Sequence, residues 1–188
     1  MTTATPLCCL ILGTLVLASV SCSGPALPAD APPTAASVDL ARYTGRWYEI
    51  ARLPAPFQKA GEAAIAEYGT NEDGTLSVRN IAVRPNGTRR DIEGHASVLN
   101  PPANTKLAVR FHNWFGPFIP VPEHGNYWIF HVDGRYEEAI VGTPDRRFLW
   151  ILSRTPTISA HRKAALVAKA RALGFDVARI ITTQRPAR

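Results

Sequence analysis

Between Arg46 and Arg154 the chain runs as short segments in which apolar and polar side chains alternate, each stopped by turn chemistry. Alternation of period two is what a strand with one buried face requires, because successive side chains point to opposite sides of a sheet. The segments cover residues 46–53, 62–69, 75–84, 89–98, 105–112, 126–132, 136–143 and 147–154. Most are separated by turn sequences such as Asn71-Glu72-Asp73-Gly74, Pro85-Asn86-Gly87, Asp133-Gly134 and Thr155-Pro156. Asn-Gly and Asp-Gly between strand patterns are strong hairpin signals. The pattern therefore predicts eight antiparallel strands in sequence order, and closing that meander into an up-and-down barrel removes both sheet edges. After the eighth segment the period changes. Leu166, Val167, Ala170 and Leu173 recur at helical spacing between a candidate N-cap, Ser159, and a candidate stop, Gly174. An α-helix with its apolar stripe against the outside of the barrel is expected, followed by a short final strand over residues 175–182. The fold class is all-β: an eight-stranded antiparallel up-and-down β-barrel with a C-terminal α-helix packed outside.

Ahead of the strands the pattern is different. Residues 1–22 carry no charged side chain, and Leu7 to Val20 is a compact apolar run. It is too short for a membrane-spanning helix and has the size of a secretory h-region. The run ends at Ser19-Val20-Ser21-Cys22, which is similar to a lipoprotein signal in which Cys22 would carry the lipid; ordinary secretion is the alternative. Residues 23–37, rich in Pro, Ala and Ser, read as a flexible tether. Residues 38–188 read as the domain, entered through a short helical turn at 38–43.

Composition narrows the chemistry. A chain of 188 residues suits one domain with a real core. Its three cysteines, Cys8, Cys9 and Cys22, all precede the domain, so the folded part has no disulfide, no thiol nucleophile and no Cys-ligated metal. The formal net charge of +6 draws a protein toward anionic surfaces, but the basic residues are scattered and do not interleave with aromatics. No nucleic-acid partner is expected. No Ser/His/Asp spacing or metal-ligand cluster stands out either, so neither an enzyme nor a cofactor is expected.

On the inward side of the predicted wall fall Ala51 on the first strand and Ala66 and Tyr68 on the second. Val109 and Phe111 follow on the fifth, Tyr127, Ile129 and His131 on the sixth, Val141 on the seventh, and Phe148, Trp150 and Leu152 on the eighth. A barrel of this size is wide enough to be filled by side chains or to hold one small ligand. The small Ala51 and Ala66 favour a cavity; a core filled by the aromatics is the alternative, which periodicity does not separate. Tyr127 and His131 are the polar candidates on an otherwise apolar lining. The loop between the fifth and sixth strands carries Trp114, Phe115, Phe118 and Ile119 and belongs at the open end beside residues 53–57, as a lid or as a membrane-facing lip.

Three stretches then carry a resemblance. Gly45-Arg46-Trp47-Tyr48-Glu49-Ile50-Ala51-Arg52 resembles the G-x-W signature of the lipocalins, Ala66-Glu67-Tyr68 with Asp73-Gly74 resembles their second strand, and Leu149-Trp150-Ile151-Leu152-Ser153-Arg154-Thr155-Pro156 resembles their last-strand motif. The likeness spans residues 38–184 and is to the bacterial outer-membrane lipoprotein lipocalins and apolipoprotein D. It implies that Trp47 sits at the closed end of the barrel, covered by Arg154 and with Gly45 leaving room. It also implies a fatty acid or lysophospholipid as ligand, a role in lipid storage or transport for membrane maintenance, and a lipid-anchored place in the outer membrane. A homodimer is left open. A haem or pigment carrier on the same barrel is the alternative function, and His131 is its one inward histidine.

Overall fold

The computed structural model describes residues 26–112 and 121–183. A four-residue helix, α1 (Leu40–Tyr43), leads into eight strands: β1 (Gly45–Arg52), β2 (Ala63–Thr70), β3 (Leu76–Val83), β4 (Arg89–Val98), β5 (Lys106–Phe111), β6 (Tyr127–Val132), β7 (Glu138–Gly142) and β8 (Leu149–Ser153). Then come α2 (Ala160–Ala172), a 3-10 turn at Val177–Arg179 and a two-residue strand, β9 (Ile181–Thr182). Each strand from β2 to β8 pairs antiparallel with its sequence neighbour, and β1 pairs with both β2 and β8, which closes the barrel. The hairpin turns follow from their residues. Asn86 accepts the Thr88 amide at 3.0 Å, with Gly87 at φ +84°, and the Asp133 carboxylate accepts the amides of Arg135, Glu137 and Glu138.

Two β-bulges give the barrel its inside and outside. One interrupts β1 between Glu49 and Ala51, the other β6 between Ile129 and His131. A bulge inserts one residue and so reverses the facing of everything beyond it. On β1 the inward set is Trp47, Glu49 and then Arg52, each opposite an inward partner: Ala66, Leu152 and Trp150. Ile50 and Ala51 both turn outward, as do Phe130 and His131 on β6. Ile50, Ala51 and Phe130 join Ile140, Leu149 and Ile151 in an outer core under α2, which contributes Leu166 and Ala170.

The bulges overturn two expectations. Ala51 stands opposite Ile151 on the helix-covered face and is not a cavity residue. His131 stands opposite Ile140 on the same outer face, where burial first and the charge of Lys169 second hold its pKa below the usual imidazole value. Two segment expectations also change. Residues 30–37 are not a free tether. Arg146 binds the Asp30 carboxylate and carbonyl at 2.8 and 2.6 Å, Thr34 meets Thr105 at 3.0 Å, and the Ala35 amide donates to the Ile129 carbonyl. The expected final strand shrinks to Ile181–Thr182, because Gly174 at φ +85° and Phe175 are still bonded back to the end of α2. Phe175 then packs edge-on against Phe130, and β9 hydrogen-bonds to Ala51 and Arg52 of β1. Ser159 caps α2 by accepting the Arg162 amide, in agreement with expectation.

Candidate functional site: the barrel interior

The base is built on Trp47, which is fully buried. Its indole N–H donates to the Tyr43 carbonyl at 2.8 Å. The Arg154 guanidinium lies over its ring, 3.9 Å from the centroid, and donates to the carbonyls of Arg42, Tyr43, Arg46 and Tyr136 at 2.7–3.2 Å. A planar fork with several donors can bridge this many carbonyls while stacking on a ring, which a lysine could not do. Gly45 is required on two counts. Its φ of +94° is left-handed, and a Cβ there would stand 3.2 Å from the Arg154 guanidinium.

Above Trp47 three tyrosines share one node. The rings of Tyr43 and Tyr68 stack at 5.5 Å, and Tyr43 lies 5.1 Å from Trp47. The Tyr127 hydroxyl is the hub, 2.7 Å from that of Tyr43 and 3.0 Å from that of Tyr68. Burial raises the pKa of all three phenols, that of Tyr68 to about 12, so each stays protonated. The wall around the node is apolar: Ala66, Val78, Ala96, Val109, Ile129, Val141 and Leu152 are buried in the inner cluster. Phe111, Tyr127 and Trp150 belong to the same cluster but are only partly buried.

The mouth is polar beneath an aromatic rim. Arg52, 1% exposed, points inward and donates to the carbonyls of Leu53, Gln58 and Lys59, which ties the loop after β1 across the barrel. Its Nε faces Glu49 Oε1 at 3.5 Å, an ion pair too long for a hydrogen bond. Gln58 bridges outward from this pair, donating to Glu49 at 2.8 Å and accepting from the Trp150 indole at 3.4 Å. Burial raises the Glu49 pKa against the opposing pull of Gln58, Thr183 and Arg52. Phe57, Phe148 and Trp150 meet at 5.3–6.3 Å to form the rim, and Phe57 is 60% exposed.

The structure thus brings together Ala66, Tyr68, Val109, Phe111, Tyr127, Ile129, Val141 and Trp150 in one inner cluster, with Phe148 at its rim. It sends Ala51 and His131 outside. Trp114, Phe115, Phe118 and Ile119 lie outside the described residues, as does Cys22. The residues missed from the sequence are Tyr43, Glu49, Arg52 and Gln58. Glu49 had left a trace: two positions after Trp47 on an alternating strand, it is a charge on the inward face, and such a charge demands a partner.

Comparison with known proteins agrees with this architecture. Residues 38–185 match the lipocalin-like domain family. The outer membrane lipoprotein Blc of Escherichia coli K12 is 40% identical over 172 residues, covering 89% of this chain and 90% of that protein. Temperature-induced lipocalin-1 of Arabidopsis thaliana is 41% identical over 149 residues, 78% of each chain. Among solved structures, lobster apocrustacyanin A1 superposes with a TM-score of 0.58 at 16% identity, over 86% of this chain and 94% of that one, a likeness of fold alone.

Proposed function

Because the chain belongs to the lipocalin-like family, in which binding a hydrophobic ligand is the general function, we propose that it holds a single-chain lipid, a fatty acid or a lysophospholipid, inside its barrel. The observation that carries this reading is the exposure pattern of the inner wall. Phe111, Tyr127 and Trp150 face inward among fully buried neighbours, yet each keeps solvent-reachable surface. A barrel plugged by its own side chains would bury all three to the extent of Ile129 and Trp47. An apolar wall with a few hydrogen-bonding groups suits an acyl chain with one polar end. The lipid is stored or moved in the service of membrane maintenance, by a protein held at the outer membrane through acylated Cys22. The outer-membrane lipoprotein relative supports that location. The haem or pigment reading loses ground, because its candidate ligand His131 lies outside the barrel and no histidine stands on the inner face among the described residues.

Titration of delipidated protein with palmitate and with lysophosphatidylcholine, followed by tryptophan fluorescence and calorimetry, should give saturable binding of one lipid per barrel. Absence of saturation with both lipids overturns the reading. For the anchor, Cys22→Ser should move the protein out of the membrane fraction. A variant that still partitions with membranes, from a parent that takes up no labelled fatty acid, refutes lipidation.

A further inference from the structure

The segment ahead of α1 climbs the barrel wall from the base toward the mouth. The Val38 amide donates to the Ala103 carbonyl, in the turn after β4, at 2.8 Å, and the Ala35 amide to the Ile129 carbonyl of β6 at 3.0 Å. Pro32 is buried and Ala31 packs against the outer core. The Ala31 amide donates back to the Pro28 carbonyl, so this strap starts in a turn. Arg146 clasps that turn. Its Nη1 and Nη2 donate to the Asp30 carboxylate and carbonyl at 2.8 and 2.6 Å, and its Nε to the Leu173 carbonyl, just past α2, at 2.9 Å. Strands reverse direction in turn, starting with β1 from Trp47 at the base to Arg52 at the mouth. The turns after β1, β3 and β7 therefore lie at the mouth, and those after β2, β4 and β6 at the base. Arg146 belongs to the turn after β7, so the strap brings Asp30 to the ligand entrance. Cys22 stands eight residues before Asp30.

Chain length then restricts orientation. Held first at Val38, an anchor at Cys22 would have a reach of about 55 Å, and either end of the barrel could face the membrane. Held at the Pro28 turn, it reaches at most about 22 Å. A base-down barrel lifts that turn off the membrane by the barrel height, about 20 Å for eight-residue strands at the usual tilt. That orientation needs the chain drawn taut, and a mouth-down barrel does not. Charge points the same way. In and beside the mouth turns, Lys59, Arg89, Arg90 and Arg147 are exposed and have no ion-pair partner among the described residues, against one such acid, Asp145. The neighbouring carboxylates Glu62 and Asp91 are taken by Arg84 and Arg79. In and beside the base turns the balance reverses, with Asp39, Glu72 and Asp73 exposed and without an ion pair, against Arg42. An anionic lipid surface attracts the first set and repels the second within a Debye length. Phe57, 60% exposed on the rim, offers an apolar side chain at the same end. Resting on the acylated Cys22 of the reading above, we propose that the mouth docks on the anionic phospholipid surface that holds the anchor, oriented by the Arg146–Asp30 clasp and by the mouth cations. Ligand entry then lies at the bilayer.

The test measures which end is nearer the lipid. From Ser23 onward the chain has no cysteine, so one introduced thiol takes a single fluorophore in the acylated protein. Thr88→Cys places it at the mouth and Thr70→Cys at the base, both at exposed positions. The acylated proteins are reconstituted on vesicles of phosphatidylethanolamine and phosphatidylglycerol that carry an energy acceptor on their headgroups. Transfer from the mouth label should exceed transfer from the base label by about twofold or more, because the two sites stand about a barrel height apart. Arg146→Asn, which tolerates the positive φ of +58° at this position, opens the clasp and should shrink the difference. Vesicles of phosphatidylcholine alone should shrink it too. If the base label transfers as much as the mouth label on anionic vesicles, or if the difference survives both the variant and the neutral lipid, the docked orientation is refuted while the anchor reading stands. If the parent takes up no labelled fatty acid and stays off the vesicles, it is the anchor reading that fails, and the orientation falls with it.

Discussion

Two arginines hold the two ends of this barrel, and they do it by different physics. Arg154 seals the base while half-buried, with its charge spread over four backbone carbonyls and an indole face, and with no carboxylate partner among the described residues. Water at the base screens the cation, so carbonyl dipoles suffice. Arg52 ties down the mouth loop from inside, at 1% exposure, and there dipoles alone do not suffice. A buried cation needs a counter-charge, and Glu49 supplies it from three residues earlier on the same strand. That both residues face inward, despite their odd spacing, is the work of the bulge between them. The base is a rigid cap; the mouth is a closed circuit in which every member depends on another.

The sharpest way to break this comparison is at the mouth. Arg52→Ala leaves Glu49 buried and unpaired and releases three loop carbonyls. Removing one partner of a buried pair costs about 3–5 kcal/mol, to be read from urea denaturation. Arg52→Met with Glu49→Leu removes both charges and should recover part of that loss. A double variant no more stable than Arg52→Ala would mean that the loop bonds, not the charge pairing, hold the mouth. At the base, Arg154→Ala should cost less, about 1–3 kcal/mol, through lost cation–π contact and unpaired carbonyls. Because Arg154 lies beneath Trp47, lipid affinity of the folded protein should be unchanged. An affinity loss with an unaltered melting temperature would put Arg154 in contact with ligand and invert the two ends.

The base was legible in the sequence and the mouth was not, for one physical reason. Turn residues and alternation specify which segments are strands, and Gly45, Trp47 and Arg154 lie where strict period-two counting is still in phase. Beyond Glu49 the bulge adds a residue, so counting onward places Ala51 inside and Arg52 outside, the reverse of what forms. The same slip at Phe130 misplaced His131. Nothing local marks a bulge made of ordinary residues such as Ile50 or Phe130. What demands it is the outer core under α2, which takes both Ile50 and Ala51 at the first bulge and Phe130 at the second. Tyr43 escaped notice for a related reason: it belongs to no strand and enters the interior from α1.

A smaller effect separates the mouth from the base through ligand. Trp150 lies at the mouth, opposite Arg52 and Val141, with its indole N–H on Gln58. An acyl chain beside it buries apolar surface worth about 25 cal/mol per Å². Trp150→Ala should weaken palmitate binding about tenfold, close to 1.4 kcal/mol, and abolish most of the ligand-dependent change in tryptophan fluorescence. Ala66→Trp should fill the lower cavity and block binding altogether while the fold survives. A variant at Ala66 that binds as well as wild type would place the lipid elsewhere.

The smallest effect distinguishes the ends by the sign of their pH response. At the mouth, burial raises the Glu49 pKa above its ordinary 4.5. A carboxyl whose folded pKa is raised gives a stability contribution that is present below the unfolded value and lost as pH climbs through the folded one. At the base hairpin, Asp133 moves the other way. Burial pushes its pKa up, but the amides of Glu138, Arg135 and Glu137 outweigh that and hold it below 3.8. Its contribution is present above the unfolded value and lost as pH falls through the folded one. Relative to wild type, Glu49→Gln should therefore gain stability as pH rises above about 4.5, the unfolded Glu49 value. Asp133→Asn should instead lose about 1 kcal/mol at pH 7, a deficit that closes below about pH 3.8. Urea melts of the three proteins at matched ionic strength across pH 3–8 read both slopes at once. If the two differences run in the same direction, the buried pair at the mouth carries no desolvation penalty and the contrast between the two ends collapses.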